Sequence, residues 1–369
     1  MGIEPQSSIG VGIVGLSATR GWAGNAHLPA LAAVPGFDLV AASASSADSA
    51  RAAAERHGVP TACAGAEELA RRADVDLVVI TVKVPAHLAL VSTALAAGKH
   101  VLCEWPLGNG LAEAEQLATL ADRMGVRGFV GLQARSAPPV RFIRDLVASG
   151  EIGEVLSTTL IGTGGRWGDS IAGEVVYLLD RDNGATMLTI PVGHALDGVC
   201  SCLGELSEVT ATMAVRRPEV TRTDTGRLTR MTAEDQIAVT GRLQSGAVIA
   251  LHYRGGELPG SGLIWEINGT KGMLLMTGPT GHLQYGLVNI AAAGARDRDM
   301  TPLAVPPEYE TLDVDPGGLP YAVAHAYARV RDDLRLGTST APTFADAVVR
   351  HRVLAAIETA AQTGQRQLL

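Results

Sequence analysis

The stretch Ile9-Gly10-Val11-Gly12-Ile13-Val14-Gly15, running on into Leu16-Ser17-Ala18-Thr19-Arg20-Gly21-Trp22, decides the fold. Its first seven residues are an apolar strand closed by glycine, and residues 22–34 then place Leu28, Leu31 and Ala32 at helical spacing. The alternation recurs downstream. Strand-like runs over 37–42, 76–82, 100–103 and 128–131 are separated by helical patterns over 49–57, 85–97 and 111–124. Strand and helix alternating at this pace require a parallel sheet covered by helices on both faces and joined by right-handed crossovers. Ligands of such sheets bind beyond the carboxyl ends of the strands, so chemistry is expected just after Gly15, Ala42, Val82 and Cys103.

The 369 residues carry 30 basic and 38 acidic side chains, a formal charge of −8. At roughly 150 residues per domain, that length makes two domains. A hydrophobic fraction of 47% against 18% charged excludes a disordered chain, and the negative charge argues against a nucleic-acid partner. No apolar run reaches the roughly 18 residues that span a bilayer. Residues 1–8 lack the basic flank and apolar stretch of a secretion signal, so a cytoplasmic location without a membrane partner is expected. Of the four cysteines only Cys200 and Cys202 lie close, and a lone C-x-C favours free thiols over a metal site.

Gly10, Gly12 and Gly15 spell G-x-G-x-x-G, but inside the strand rather than in the turn after it. A fingerprint in the proper place needs glycine at the positions of Ser17 and Arg20, so that backbone amides reach a pyrophosphate. On these residues alone the turn is either an altered phosphate loop or a plain strand-to-helix connection. After the second strand, Ser43-Ala44-Ser45-Ser46 and Arg51 offer neutral donors and a cation, with no acid before Asp48. If a dinucleotide binds, that pattern favours NADP(H) over NAD(H); the alternative is that the serines form only a loop and a helix N-cap.

At Ala97-Gly98-Lys99-His100-Val101-Leu102-Cys103-Glu104-Trp105-Pro106-Leu107 the chain resembles the glucose-fructose oxidoreductase and inositol dehydrogenase family, written Gfo/Idh/MocA. His27-Leu28-Pro29-Ala30, His87, Ser149-Gly150-Glu151-Ile152-Gly153-Glu154-Val155 and Asn268-Gly269-Thr270-Lys271-Gly272 are similar to further family segments. The resemblance implies an α/β protein: an N-terminal Rossmann domain, 1–134, and a C-terminal substrate and oligomerisation domain, 135–369, with a large, mostly antiparallel sheet. Strand-like runs over 208–215, 235–243, 247–252 and 264–268 and helical stretches over 321–336 and 345–361 agree with it. A homo-dimer or tetramer follows, because an open sheet must cover its outer face. The mixed charges of residues 216–235 read as a solvated hairpin rather than a basic patch.

The same resemblance places Gly15, Leu16, Ser17, Ala18, Thr19, Arg20, Trp22, Ser43, Ser45, Ser46, Arg51, Val82, His87, Glu104, Trp105 and Gln133 at a cofactor site. Catalytic members carry a lysine where this chain has Trp105, and indole serves as neither acid nor base. An acid expected four residues before His194 is Ile190, whereas the later Asp197 is kept. His194 and Lys83 are therefore the candidate proton carriers, with a core histidine and a solvated lysine as the alternatives. Lys83, Trp105, Arg166, Trp167 and His194 are candidate substrate contacts, and an ordinary loop is the alternative at Arg166 and Trp167. Trp105 and the long first turn are similar to the family branch that contains the fungal galactose-regulon repressor. Two functions are thus expected: an NAD(P)-dependent oxidoreductase on a carbohydrate-like hydroxy compound, or a catalytically silent dinucleotide-binding regulator of a protein partner.

Overall fold

Six parallel strands organise the first half of the chain: β1 (Ile9–Val14), β2 (Phe37–Ser43), β3 (Thr61–Cys63), β4 (Leu77–Ile80), β5 (His100–Cys103) and β6 (Gly128–Val130). They lie in the order β3-β2-β1-β4-β5-β6, all parallel, so the winding reverses between β1 and β4. The computed structural model describes residues 8–257 and 262–369. Every residue of β1 is buried, as a central parallel strand requires. Gly12 lets the short helix Ala66–Arg71 settle onto the sheet, since a Cβ there would lie 2.5 Å from Leu69 Cδ2. The in-strand glycines thus serve packing. That helix and β3 are too short, at 6 and 3 residues, to show a period in the sequence. After the first turn the chain makes one π-helical turn, Ala23–His27, before the α-helix Leu28–Ala33, instead of one continuous helix.

The chain divides into two compact units. The first holds the described residues up to Ser136 and also Leu312–Val349, so the contiguous division at 134/135 is corrected. The returning helix Pro320–Leu336 inserts Val323, Ala324, Tyr327 and Val330 into the same core as Ile9, Val11 and Ile13. Hydrophobic burial, which acts without regard to chain order, makes that segment part of the first unit. Buried Asp333 closes the turn after the helix, accepting hydrogen bonds from Thr340 N at 2.9 Å, Ala341 N at 2.8 Å and Thr338 Oγ1 at 2.7 Å.

The second unit, Ala137–Thr311 with Arg350–Leu369, is built on a mixed sheet. Its central strand Val155–Gly164 runs parallel to Val248–Gly255 and antiparallel to Leu263–Gly269, and every other pairing in this sheet is antiparallel. The polar excursion is a hairpin: Glu219–Arg222 pairs antiparallel with Leu228–Arg230, and Arg222 bonds Asp224 at 2.7 Å. Among the described residues no helix is long and apolar enough to cross a membrane. Replacing Asp333 by Ala leaves the buried Ala341 N–H and the Thr340 N–H without their acceptor, and urea denaturation should show a loss of about 3 kcal/mol; Asp333→Asn should lose less.

Candidate functional site

At the point where the winding reverses, Gly15 leaves β1 with φ +101°, a conformation natural to glycine. Its N–H donates to Ser43 O at 2.9 Å, and a Cβ on it would lie 2.8 Å from Val82 Cγ1. The ends of β1, β2 and β4 are therefore drawn together where a ligand of this fold binds. Beyond Gly15, Leu16 is buried, Ser17 and Ala18 are half-buried, and Thr19 and Arg20 are exposed. His57 Nε2 lies 2.9 Å from Ser17 O and fixes the turn from below, and Trp22 opens the π-helical turn. Of the three serines, Ser46 caps helix Ala47–His57 by accepting from Ser49 N at 3.1 Å, Ser45 is exposed, and Ser43 is buried. Among the described residues Ser43 Oγ has no hydrogen-bond partner. Arg51 pairs with Asp48 on the exposed side of that helix.

Lys83 is exposed at the end of β4, just before the 3-10 turn Val84–Ala86. His87 differs from expectation. Its buried ring sits with Nδ1 2.9 Å from Pro106 O and Nε2 3.1 Å from Val82 O, and burial lowers its pKa. A neutral ring has one N–H and donates it to one of these two carbonyls, so the imidazole is packed between two backbone segments rather than turned toward a cofactor. Trp105 is only 5% exposed, and Glu104 bonds His27 Nε2 at 2.9 Å. Gln133 is buried and its Oε1 has no partner among the described residues, while Arg135 pairs with Asp346 at 2.9 Å.

In the second unit, exposed Arg166 and buried Trp167 follow the central strand directly. Trp167 is corrected as a substrate contact: its ring is in the core and its Nε1–H donates to Leu178 O at 3.0 Å. His194 opens the helix Gly193–Leu203 and is 4% exposed. Asp197, three residues on, lies with Oδ1 3.6 Å from Nε of the fully buried Arg350, which also bonds Glu205 at 2.9 Å. That acid balances a buried cation. Sequence reasoning missed His282 and Tyr285, whose rings stack at 4.2 Å. His282 is pushed down to about 3 by burial and then by the charges of His194 and Arg166, and Tyr285 is pushed up to about 12, mainly by burial. The only local signal was a His, a Gln and a Tyr set among turn residues after an apolar strand. Side chains of these types can bind hydroxyls, and the shifted pKa values keep His282 neutral and Tyr285 protonated near pH 7. Among the described residues no group of three His, Cys, Asp or Glu is placed to hold a metal ion.

A six-stranded sheet of this order with glycine at its reversal point defines a dinucleotide-binding protein carrying a second, substrate-type α/β unit. Residues 9–132 match the oxidoreductase family with an NAD-binding Rossmann fold, GFO_IDH_MocA, and residues 138–278 match the Gal80p C-terminal domain. Dehydrogenase aclE of Aspergillus oryzae is 35% identical over 287 residues, 74% of this chain and 77% of its own. The galactose/lactose metabolism regulatory protein GAL80 of Saccharomyces cerevisiae is 27% identical over 329 residues, 84% and 75% of the two chains. A solved super-repressor mutant of the latter shares the fold with a TM-score of 0.89 at 23% identity over 98% of both chains. Levoglucosan dehydrogenase in complex with NADH and L-sorbose shares it with a TM-score of 0.83 at 21% identity, again over 98% of both. The chain belongs to the Gfo/Idh/MocA oxidoreductase family, and its second unit is of the Gal80p type.

His282 and His351, the latter depressed to about 4 by burial, stay neutral in the folded chain at pH values where an unfolded histidine, near 6.5, is charged. The unfolded state then binds more protons, so stability is full above pH 6.5 and falls as the pH drops toward 4. Urea midpoints between pH 7 and 5 should decline accordingly, and a His282→Asn, His351→Asn double variant should flatten that slope.

Proposed function

We propose that this chain is an NADP(H)-dependent oxidoreductase acting on a sugar, polyol or related hydroxy compound. The observation that carries the reading is the stacked pair His282 and Tyr285 in the second unit, with Arg166 acting electrostatically on both rings and His194 on His282. Residues of the first unit suit a dinucleotide: Gly15 lets the ends of β1 and β4 close up at the switch point, and buried Ser43 Oγ still has a hydrogen bond to make. A bound nicotinamide supplies the hydride chemistry. The protein orients the hydroxyl-bearing substrate, and His194 or Lys83 takes or returns the hydroxyl proton. Arg51 favours the 2′-phosphate, because its exposed pair with Asp48 is worth only ~0.2–1 kcal/mol and is readily exchanged for a phosphate. Pairing of copies through the sheet of the second unit, as a homo-dimer or tetramer, belongs to the same proposal.

A second reading is a catalytically silent dinucleotide sensor that regulates a protein partner. Trp105 and Ile190, standing where catalytic relatives carry a lysine and an acid, favour it.

Fluorescence titration should show NADPH binding at least about tenfold tighter than NADH, with Arg51→Ala removing most of the difference. NADPH or NADP turnover against a carbohydrate panel should appear, and His194→Ala or Lys83→Ala should lower kcat by about 10²- to 10⁴-fold with cofactor affinity kept. Tight cofactor binding without turnover, together with NADPH-dependent recovery of a partner protein, selects the regulator.

A further inference from the structure

In a fold of this kind the pyrophosphate of a dinucleotide lies on the turn that follows the first strand, and here that turn runs from Gly15 to Gly21. Glycines stand only at its two ends, with φ +101° and +103°, and the five residues between them all carry side chains. Glycine conformations therefore cannot give the middle of the turn its shape. Other contacts must hold it.

Those contacts come from both ends of one neighbouring segment. At its start, Ser43 O at the end of β2 accepts from Gly15 N at 2.9 Å and from Leu16 N at 3.3 Å. At its end, His57 closes the helix Ala47–His57, and its Nε2 lies 2.9 Å from Ser17 O. A carbonyl only accepts, so Nε2 carries the hydrogen and donates it. The half-buried ring also rests on the π-helical turn Ala23–His27, since a Cβ on Gly24 would touch His57 Cε1 at 3.7 Å. Gly58, at φ +68°, stops the helix there with its N–H on Ala54 O, which fixes where the imidazole stands.

The other end of this helix begins at its cap Ser46, with Arg51 in its second turn, just after β2. That is where the ribose of a dinucleotide is read. One rigid element thus carries the ribose-side residues at its start and a clamp on the phosphate turn at its last residue. A loop held in its bound shape before the ligand arrives pays less to be ordered, and the gain appears as affinity.

We propose that His57 is a positioning residue for the dinucleotide, whose bond to Ser17 O holds the glycine-poor turn in the shape that receives the pyrophosphate. The proposal rests on the dinucleotide binding of the reading above, and neither on the NADP(H) preference nor on catalysis. Since the pyrophosphate is common to both cofactors, loss of the clamp acts equally on NADH and NADPH.

Fluorescence titration of the full chain with NADH and with NADPH tests it on three variants. Gln carries an amide nitrogen the same number of bonds from Cβ as imidazole Nε2, whereas the nitrogen of Asn is one bond short and Leu has none. His57→Leu and His57→Asn should weaken both cofactors by a common factor of about 3- to 10-fold, and His57→Gln should keep most of the affinity. If His57→Leu does not fold, Asn against Gln decides. A purely structural histidine would lower the cofactor-free Tm in Leu and Asn and leave affinity unchanged, which overturns the proposal. So does a Gln variant as weak as Leu and Asn, or a loss confined to NADPH, which would put His57 at the 2′-phosphate. An unaltered chain that binds neither cofactor fails the dinucleotide reading and this proposal together. Tighter binding of NADH, with the common loss still seen in Leu and Asn, fails the NADP(H) preference alone.

Discussion

The imidazole of His27 is hydrogen-bonded at both nitrogens inside the first unit, Nδ1 2.7 Å from Tyr327 Oη and Nε2 2.9 Å from Glu104 Oε1. A carboxylate only accepts, so Nε2 carries the proton and Nδ1 accepts from the phenol. Burial, and then the charge of Glu104, pushes the Tyr327 hydroxyl far up, which keeps it a donor. Three distant pieces of chain meet in these bonds: the π-helical turn after β1, the end of β5, and the returning helix Pro320–Leu336. In a low-dielectric interior such a chain stabilises only when every member is matched, so it fixes all three pieces together. It ties the residue before Trp105 and the returning helix to the turn after β1, alongside the hydrophobic burial that brings that helix into the first unit.

The second unit solves a different problem. Its central strand ends just before Arg166, and close contacts at glycines position the segments packed around that end. Met187 lies against Gly164 so tightly that a Cβ there would sit 2.6 Å from its sulfur, which brings the helical segment bearing His194 to the strand end. Arg350 anchors that helix by balancing Asp197, and breaking such a buried pair from one side typically costs about 3–5 kcal/mol. Asp197 is thereby engaged in a buried ion pair, and the charges of His194 and Arg166 act on His282.

Legibility followed length and period. Apart from β3 and the helix Ala66–Arg71, the strands and helices of 9–131 alternate in runs long enough to show their spacing, and the helices at 111–124 and 320–336 were read within a residue of their ends. The strand Gly272–Gly278 was missed, because its short apolar run from Met273 to Met276 has no period of its own. The serines after β2 carried two readings, and the structure divides them: Ser46 is the cap, and Ser43 is the buried group that still has a bond to make. Arg166 was visible as a candidate, Trp167 beside it was not distinguishable from it, and only packing separates the exposed guanidinium from the core indole.

By itself the sequence determined the parallel-sheet class of the first unit and a first turn with Ser17 and Arg20 where a phosphate loop has glycines. These are local statements, carried by residue type and spacing along the chain. The return of residues 312–349, the bracing role of His87, the ion pair that claims Asp197 and the grouping of His194 with His282 and Tyr285 were decided by the tertiary structure. Burial and hydrogen-bond matching act between residues that meet in space, and those residues stand up to 300 positions apart in the chain.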